Sequence, residues 1–127
     1  MKKLVFTVLF LFFAFASCDK NNESTKEGEA EKLSEMLDEI VSLSESANCV
    51  DPADWNFTAI GNKACGGPTG YIAYSNEIDV EKFLEQVEKY SLAQKEFNVK
   101  WEIASDCSLP AEPGGIFCEN GKPKFEY

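Results

Sequence analysis

The chain has 127 residues, a length that suits one small domain, and a formal net charge of −10. All 12 of its basic residues are lysines, and it contains no histidine. This composition argues against nucleic-acid binding, because phosphate contacts require cations. It also argues against general acid–base catalysis and zinc binding, which usually recruit histidine. We therefore expect no catalytic residue, no metal and no cofactor, and we expect anionic lipid headgroups to repel so acidic a surface.

The N-terminal segment has the pattern of an export signal. Lys2 and Lys3 precede an apolar run over residues 4–16, which is too short to span a bilayer as a helix. The run ends in small residues just before Cys18, and the sequence then turns polar at once. The pattern predicts that residues 1–17 are a signal peptide that is removed.

Residues 15–18, FASC, resemble the lipobox of bacterial lipoproteins, with Phe15 where leucine is commonest. The resemblance implies that Cys18 is lipidated and becomes the first residue of the mature chain. Two or more acyl chains at that residue would give stable membrane anchoring, whereas a single chain gives only marginal binding. Residues 18–28 hold no apolar residue after Cys18, so they are predicted to form a flexible tether that reaches at most about 35 Å.

The cysteine count supports this interpretation. Five cysteines are an odd number for an exported chain, and lipidation of Cys18 leaves four, which are Cys49, Cys65, Cys107 and Cys118. In an oxidising compartment these predict two disulfides, and three pairings are possible. We expect Cys49–Cys65 with Cys107–Cys118, since each joins near neighbours in sequence; four reduced buried thiols are the alternative.

Two segments have helical periodicity. In residues 29–48 the apolar side chains form one stripe, which either packs on the domain or binds a partner. Residues 79–97 give the stronger signal, with Asp79 as the N-cap and with Ile78 and Phe83 at hydrophobic-staple positions. Asn98 is expected to end this second helix.

Strands are predicted at residues 55–60, 71–74 and 99–103, where β-branched and aromatic side chains alternate. Asn120-Gly121 predicts a two-residue hairpin turn that pairs Glu119 with Lys122. The expected fold is α+β: a small, mostly antiparallel sheet with one main helix packed on it, in a disulfide-stabilised domain over residues 49–127.

The glycine-rich stretch CGGPTGY, residues 65–71, is the most distinctive loop. It is either a stapled turn or a rigid recognition loop with Pro68, Tyr71 and Tyr74 as possible partner-binding residues, because stapled aromatic residues suit interfaces. The loop SLPAEPGG, residues 108–115, joins it if the disulfides bring both to one end of the sheet. Cys65 lacks an imidazole to activate it, and acidic pairs such as Asp51 and Asp54 are interpreted as solvated caps.

Four segments together resemble small uncharacterised lipoproteins of Bacteroidota: FASC, WNFTAIGNKACGGPTGYIAYS (55–75), SDCSLP (105–110) and FCENGKP (117–123). The resemblance implies a cell-envelope location but no activity. Asp19 after Cys18 would signal inner-membrane retention in enterobacteria, a rule that need not hold here, and we expect the outer membrane. The expected role is a non-enzymatic binding or structural module with a possible envelope protein partner; the alternative is an inhibitor of periplasmic or extracellular proteases that acts through a stapled loop.

Overall fold

The computed structural model describes residues 24–127, so the predictions for residues 1–17, for Cys18 and for most of the tether lie outside it. Within that stretch the order of elements is α1 (Lys26–Ser44), β1 (Trp55–Ile60), β2 (Gly70–Ser75), α2 (Val80–Lys100), β3 (Gly115–Glu119) and β4 (Lys122–Glu126). A short 3-10 turn at Pro52–Asp54 precedes β1. The α+β class is confirmed, and the antiparallel strands divide into two hairpins, β1–β2 and β3–β4.

Helix α1 begins at Lys26, so residues 26–28 are helical and the prediction that they belong to the flexible tether is wrong; the helix ends at Ser44, before the predicted bound at residue 48. Thr25 caps it, because its hydroxyl accepts a hydrogen bond from the Gly28 amide at 3.1 Å. The apolar stripe faces the domain, where Ile40 is only 1% exposed. Four further apolar residues of α1 pack against the same core: Leu33, Met36, Leu37 and Leu43. The packing interpretation of this helix is therefore confirmed.

Helix α2 begins as predicted but runs further. The Asp79 carboxylate accepts from the Lys82 amide at 3.1 Å, and the side chain of Phe83 is fully buried. The helix continues to Lys100, so the predicted strand at 99–103 is wrong. The side chain of Asn98 does not end the helix, because it donates to the Asn62 carbonyl instead. The Trp101 amide bonds to the Phe97 carbonyl and closes the last turn.

Hairpin β1–β2 is the middle of three layers. Strand residues alternate between two faces, and the face that includes Ile60 and Tyr74 packs on the two helices around Phe83. The opposite face, with Trp55 and Ala73, packs under hairpin β3–β4. The core is thus two clusters, one on each side of β1–β2.

Hairpin β3–β4 has the predicted register, with Glu119 opposite Lys122 and Cys118 opposite Pro123. Asn120 and Gly121 both have positive φ, 51° and 75°, as a tight two-residue turn demands. The Gly121 carbonyl accepts from the Cys49 amide at 2.8 Å. This bond places the turn of the hairpin beside the segment that follows α1.

The disulfides pair differently from the expectation. Cys49 bonds to Cys118 and Cys65 bonds to Cys107, so the predicted Cys49–Cys65 and Cys107–Cys118 pairing is wrong. Layering is the physical reason, because β3 folds back over β1 and brings Cys118 next to Cys49. The Cys65–Cys107 bridge joins the loop before β2 to the segment after α2. Proximity in sequence is therefore a poor guide once a helix separates the strands.

Candidate functional site

The two tyrosines proposed as binding residues do not share a surface. They are three positions apart in β2, so their side chains point to opposite faces. The Tyr74 ring packs against Phe83 in the helix-side core, with ring centroids 5.2 Å apart. The Tyr71 ring meets Phe57 edge-on at 6.0 Å, on the side of hairpin β3–β4. Pro68 is half-buried in the loop before β2.

Tyr71 lines an open groove of about 690 Å³, which we call the edge groove. Its floor is the stretch 71–73 of β2. One wall is the C-terminal half of α1, through Leu37 and Val41, and the other is β4 with its turn, residues 120–125. Residues 45–48, which connect α1 to the rest of the domain, complete the lining.

The backbone of β2 is unpaired on the side that faces this groove. Strand β2 pairs with β1 alone, and the Asn76 amide donates to the Asp54 carbonyl at 2.8 Å. Because bonding alternates along an antiparallel pair, the even-numbered residues of β2 bond to β1 and the odd-numbered ones point away. The backbone groups of Tyr71 and Ala73 therefore face the groove.

A hydrogen bond from Ser44 confirms that the Ala73 carbonyl points away from β1, and it occupies that one acceptor on the open side of β2. The Ser44 hydroxyl, on a residue that is 7% exposed, donates to the Ala73 carbonyl at 2.6 Å. The Tyr71 backbone groups make no comparable bond with another element within residues 24–127. Unpaired edges of this kind are places where a further strand can add.

The rim of the edge groove carries charge of both signs. Lys122 and Lys124 stand on β4, and the Lys122 ammonium lies 3.7 Å from the Glu45 carboxylate. Both partners of that pair are well exposed, so the contact contributes little to stability and is easily exchanged. The rim therefore offers two cations in a chain that is otherwise strongly acidic.

The Cys65–Cys107 bridge joins CGGPTGY to the segment that leads into SLPAEPGG, so the condition for the two loops to meet is fulfilled, through a pairing other than the expected one. The Lys63 ammonium donates to the Asp106 carboxylate and to the Ser108 carbonyl, each at 2.6 Å. The hydrogen bond from Lys63 holds the pKa of Asp106 below its ordinary value. Leu109 folds over this junction and remains 65% exposed.

A contact at the start of α1 had no signal in the sequence. The Glu29 carboxylate accepts hydrogen bonds from the Lys100 ammonium and from the Trp101 indole, the latter at 2.7 Å. These bonds lower the pKa of Glu29 to about 2. The residues are more than seventy positions apart, and they meet because α1 and α2 pack antiparallel.

The residues weighed for chemistry have structural roles. Cys65 is in a disulfide, and Asp51 caps the 3-10 turn by accepting a hydrogen bond from the Ala53 amide at 2.9 Å. Residues 24–127 contain no group of three or more side chains placed to hold a metal ion. No helix in that same range is both long and apolar enough to cross a membrane.

No family model, curated protein or solved structure matches the chain significantly.

Proposed function

We propose that the protein is a non-enzymatic binding module of the bacterial cell envelope, anchored through lipid on Cys18 at the outer membrane. Its ligand is an extended peptide segment of an envelope partner, bound along the edge groove. The observation that carries the proposal is the unpaired stretch of β2, which forms the floor of a groove that is open to solvent.

Strand addition accounts for how such a groove recognises a ligand. Main-chain hydrogen bonds to the exposed edge supply affinity, and alternate side chains of the ligand supply specificity. Tyr71 offers an outward amide and carbonyl together with an aromatic ring. The Ala73 carbonyl has two lone pairs, so it can accept a hydrogen bond from a ligand amide while it keeps the one from Ser44.

The anchor rests on the N-terminal pattern together with the disulfides. Two bridges in one small domain suit an oxidising compartment outside the cytoplasm. All four cysteines of residues 24–127 are in those bridges, which leaves Cys18 as the odd one. An odd cysteine directly after an apolar run is what lipidation would use.

A photo-reactive amino acid at Tyr71 tests where the partner binds. The matched control carries it at Leu84, which is 37% exposed on α2, away from the groove. We expect capture of an envelope protein at Tyr71 and not at Leu84. A synthetic peptide that spans the cross-linked segment should then slow hydrogen exchange of the Tyr71 and Ala73 amides.

Two substitutions at Tyr71 separate backbone from side-chain recognition. Tyr71→Pro removes the amide that points into the groove but spares the ladder to β1, as proline is tolerated at an edge. Tyr71→Ala removes the ring and keeps the amide. We expect the proline variant to bind the peptide up to about tenfold more weakly than the alanine variant, which is the worth of one hydrogen bond. Equal affinity of the two variants would exclude strand addition.

A second candidate is protease inhibition. The observation in its favour is the irregular segment between α2 and β3, which presents Leu109 and is held by the Cys65–Cys107 bridge and by Lys63. Tight stoichiometric inhibition of a periplasmic or extracellular protease, lost in Leu109→Gly and on reduction, would support it. Inhibition that survives Leu109→Gly would refute a role for this loop.

A further inference from the structure

One end of the domain gathers three separate parts of the described chain, and we call it the loop end: residues 26–32 of α1, the loop 61–69 and the stretch 95–109. Hydrogen bonds from Lys100 and Trp101 to Glu29 join the first part to the third. The Cys65–Cys107 bridge joins the second part to the third. The opposite end holds the last turn of α1 and the turn of hairpin β3–β4, which meet through Cys49 and Gly121.

The short stretch of chain between Cys18 and α1 limits the distance between the loop end and the anchor. Thr25, the N-cap of α1, follows Cys18 by only seven positions, which can span at most about 25 Å. Helix α1 alone is about 28 Å long, so its far end can lie well beyond that distance. The loop end is therefore the part of the domain that an acylated Cys18 holds closest to a membrane.

Exposed apolar side chains lie on this end, where Val99 is 74% exposed and Leu109 is 65% exposed. Leu92, which is 53% exposed, lies outside the loop end but on the same face of α2, seven residues before Val99. Single exposed apolar residues are ordinary on any protein surface. Here they accompany Trp101, a half-buried residue of the type that favours the boundary between headgroups and acyl chains.

Charge is distributed unevenly between the loop end and the rest of the domain. The loop end holds five lysines (Lys26, Lys32, Lys63, Lys95 and Lys100) and six carboxylates, whereas the rest of residues 24–127 holds four lysines and fourteen carboxylates. Repulsion by anionic headgroups therefore acts mainly on the part of the domain outside the loop end. The expected repulsion by headgroups thus applies to that remainder, whereas the positive and negative charges of the loop end nearly balance.

We infer that the loop end docks on the lipid bilayer to which Cys18 is anchored, with Val99 and Leu109 in the headgroup region and the acidic remainder turned to the aqueous side. This inference rests on the proposed lipid anchor. It adds a second contact with the membrane and fixes the orientation of the domain. The partner at this surface is lipid, whereas the ligand of the edge groove is a peptide.

Tryptophan fluorescence tests the docking, because the chain has two tryptophans in different places. Trp55 is 6% exposed under hairpin β3–β4, whereas Trp101 is at the loop end. The lipidated protein is placed on vesicles of phosphatidylcholine and phosphatidylglycerol that carry brominated acyl chains. We expect quenching in the wild type and its loss in Trp101→Phe, which leaves Trp55 alone.

A matched pair of substitutions identifies the surface. Val99→Glu places a charge in the proposed contact, and Val50→Glu does the same at a residue that is 80% exposed near the opposite end. We expect Val99→Glu to lower the ratio of docked to undocked protein roughly tenfold, since the burial of one valine is worth about that factor. Val50→Glu should leave quenching unchanged.

Vesicle flotation distinguishes the possible failures. Protein that floats without quenching of Trp101 retains its anchor and overturns the docking. Protein that does not float overturns the lipid anchor and the docking together. Equal loss of quenching in the Val50 and Val99 variants would show a general charge effect and would also overturn the inference.

Discussion

The two disulfides are nested, and this arrangement gives them different contributions to stability. The Cys65–Cys107 bridge, with a sequence separation of 42, lies inside the loop that Cys49–Cys118 closes with a separation of 69. While the inner bridge is intact, the path from Cys49 to Cys118 through it is only about 28 residues long. Closing such a loop in the unfolded chain stabilises the folded state by about 3.5 kcal/mol, which is the contribution of the outer bridge. While the outer bridge is intact, the inner bridge divides the ring that it closes and contributes about 3 kcal/mol.

Burial widens this difference. Cys49 is 3% exposed and packs with Trp55 in the cluster under hairpin β3–β4. Cys65 and Cys107 are both exposed. Replacement of the outer pair by alanine therefore also removes buried sulfur, which raises its expected cost to about 4–5 kcal/mol. This is a large part of the 5–15 kcal/mol that typically stabilises a domain.

Urea unfolding followed by the fluorescence of Trp55 and Trp101 measures both losses. We expect the Cys49→Ala/Cys118→Ala variant to be less stable than the Cys65→Ala/Cys107→Ala variant by roughly 1–2 kcal/mol. A smaller loss for the outer pair than for the inner pair would refute this reasoning. Mass spectrometry of unreduced peptides provides an independent check, and a Cys49–Cys65 peptide would contradict the layered arrangement itself.

Three further predictions each concern a single residue. Ser44→Ala should cost about 1–2 kcal/mol in urea unfolding, because it leaves the Ala73 carbonyl without its partner, and no loss would show that water replaces the hydroxyl fully. The folded pKa of Glu29, about 2, is below the ordinary 4.5, so its stabilising effect is complete above about pH 4.5 and disappears as the pH falls toward 2. The stability of Glu29→Gln should therefore change less across that window than that of the wild type or of the exposed control Glu31→Gln, and equal slopes would contradict the assignment. Cys18→Ser should release the protein from the membrane fraction, and mass spectrometry of the wild type should find acyl chains on the N-terminal cysteine; an unmodified Cys18 would refute the anchor.

Features that depend on neighbouring residues were predicted well. Asp79 caps α2 because a short acidic side chain reaches an amide three residues on, and the Asn120-Gly121 turn sets the register of β3–β4 from its own backbone preferences. Strand β1 was predicted with its observed bounds, Trp55–Ile60. In each case the physical cause lies within a few residues.

Features that depend on distant contacts were missed. The alternation of Val99, Trp101 and Ile103 fits a strand, but α2 continues through Lys100, and the Trp101 indole is held by a residue of α1. The disulfide pairing depends on how hairpin β3–β4 folds over β1. The CGGPTGY loop indicates Tyr71 as a possible partner-binding residue, but the edge groove exists only because α1 and β4 flank β2. No local pattern in the sequence encodes those walls.

Each disulfide holds together one of the two proposed surfaces, so the same pair of disulfide variants tests both surfaces. The outer bridge holds hairpin β3–β4, one wall of the edge groove, to the segment after α1. The inner bridge holds the two loops of the loop end together. Loss of the outer bridge should therefore weaken binding of a groove peptide and leave Trp101 quenching by brominated lipid intact, whereas loss of the inner bridge should do the reverse.

Isothermal titration of the peptide and vesicle quenching, each at a temperature where both variants are folded, measure the two effects. Because the bridges are at opposite ends of α1, a local loosening at one end should not reach the other. If either variant lost both activities while still folded, the two surfaces would be one cooperative unit. The assignment of peptide binding to the groove and of lipid contact to the loop end would then be wrong.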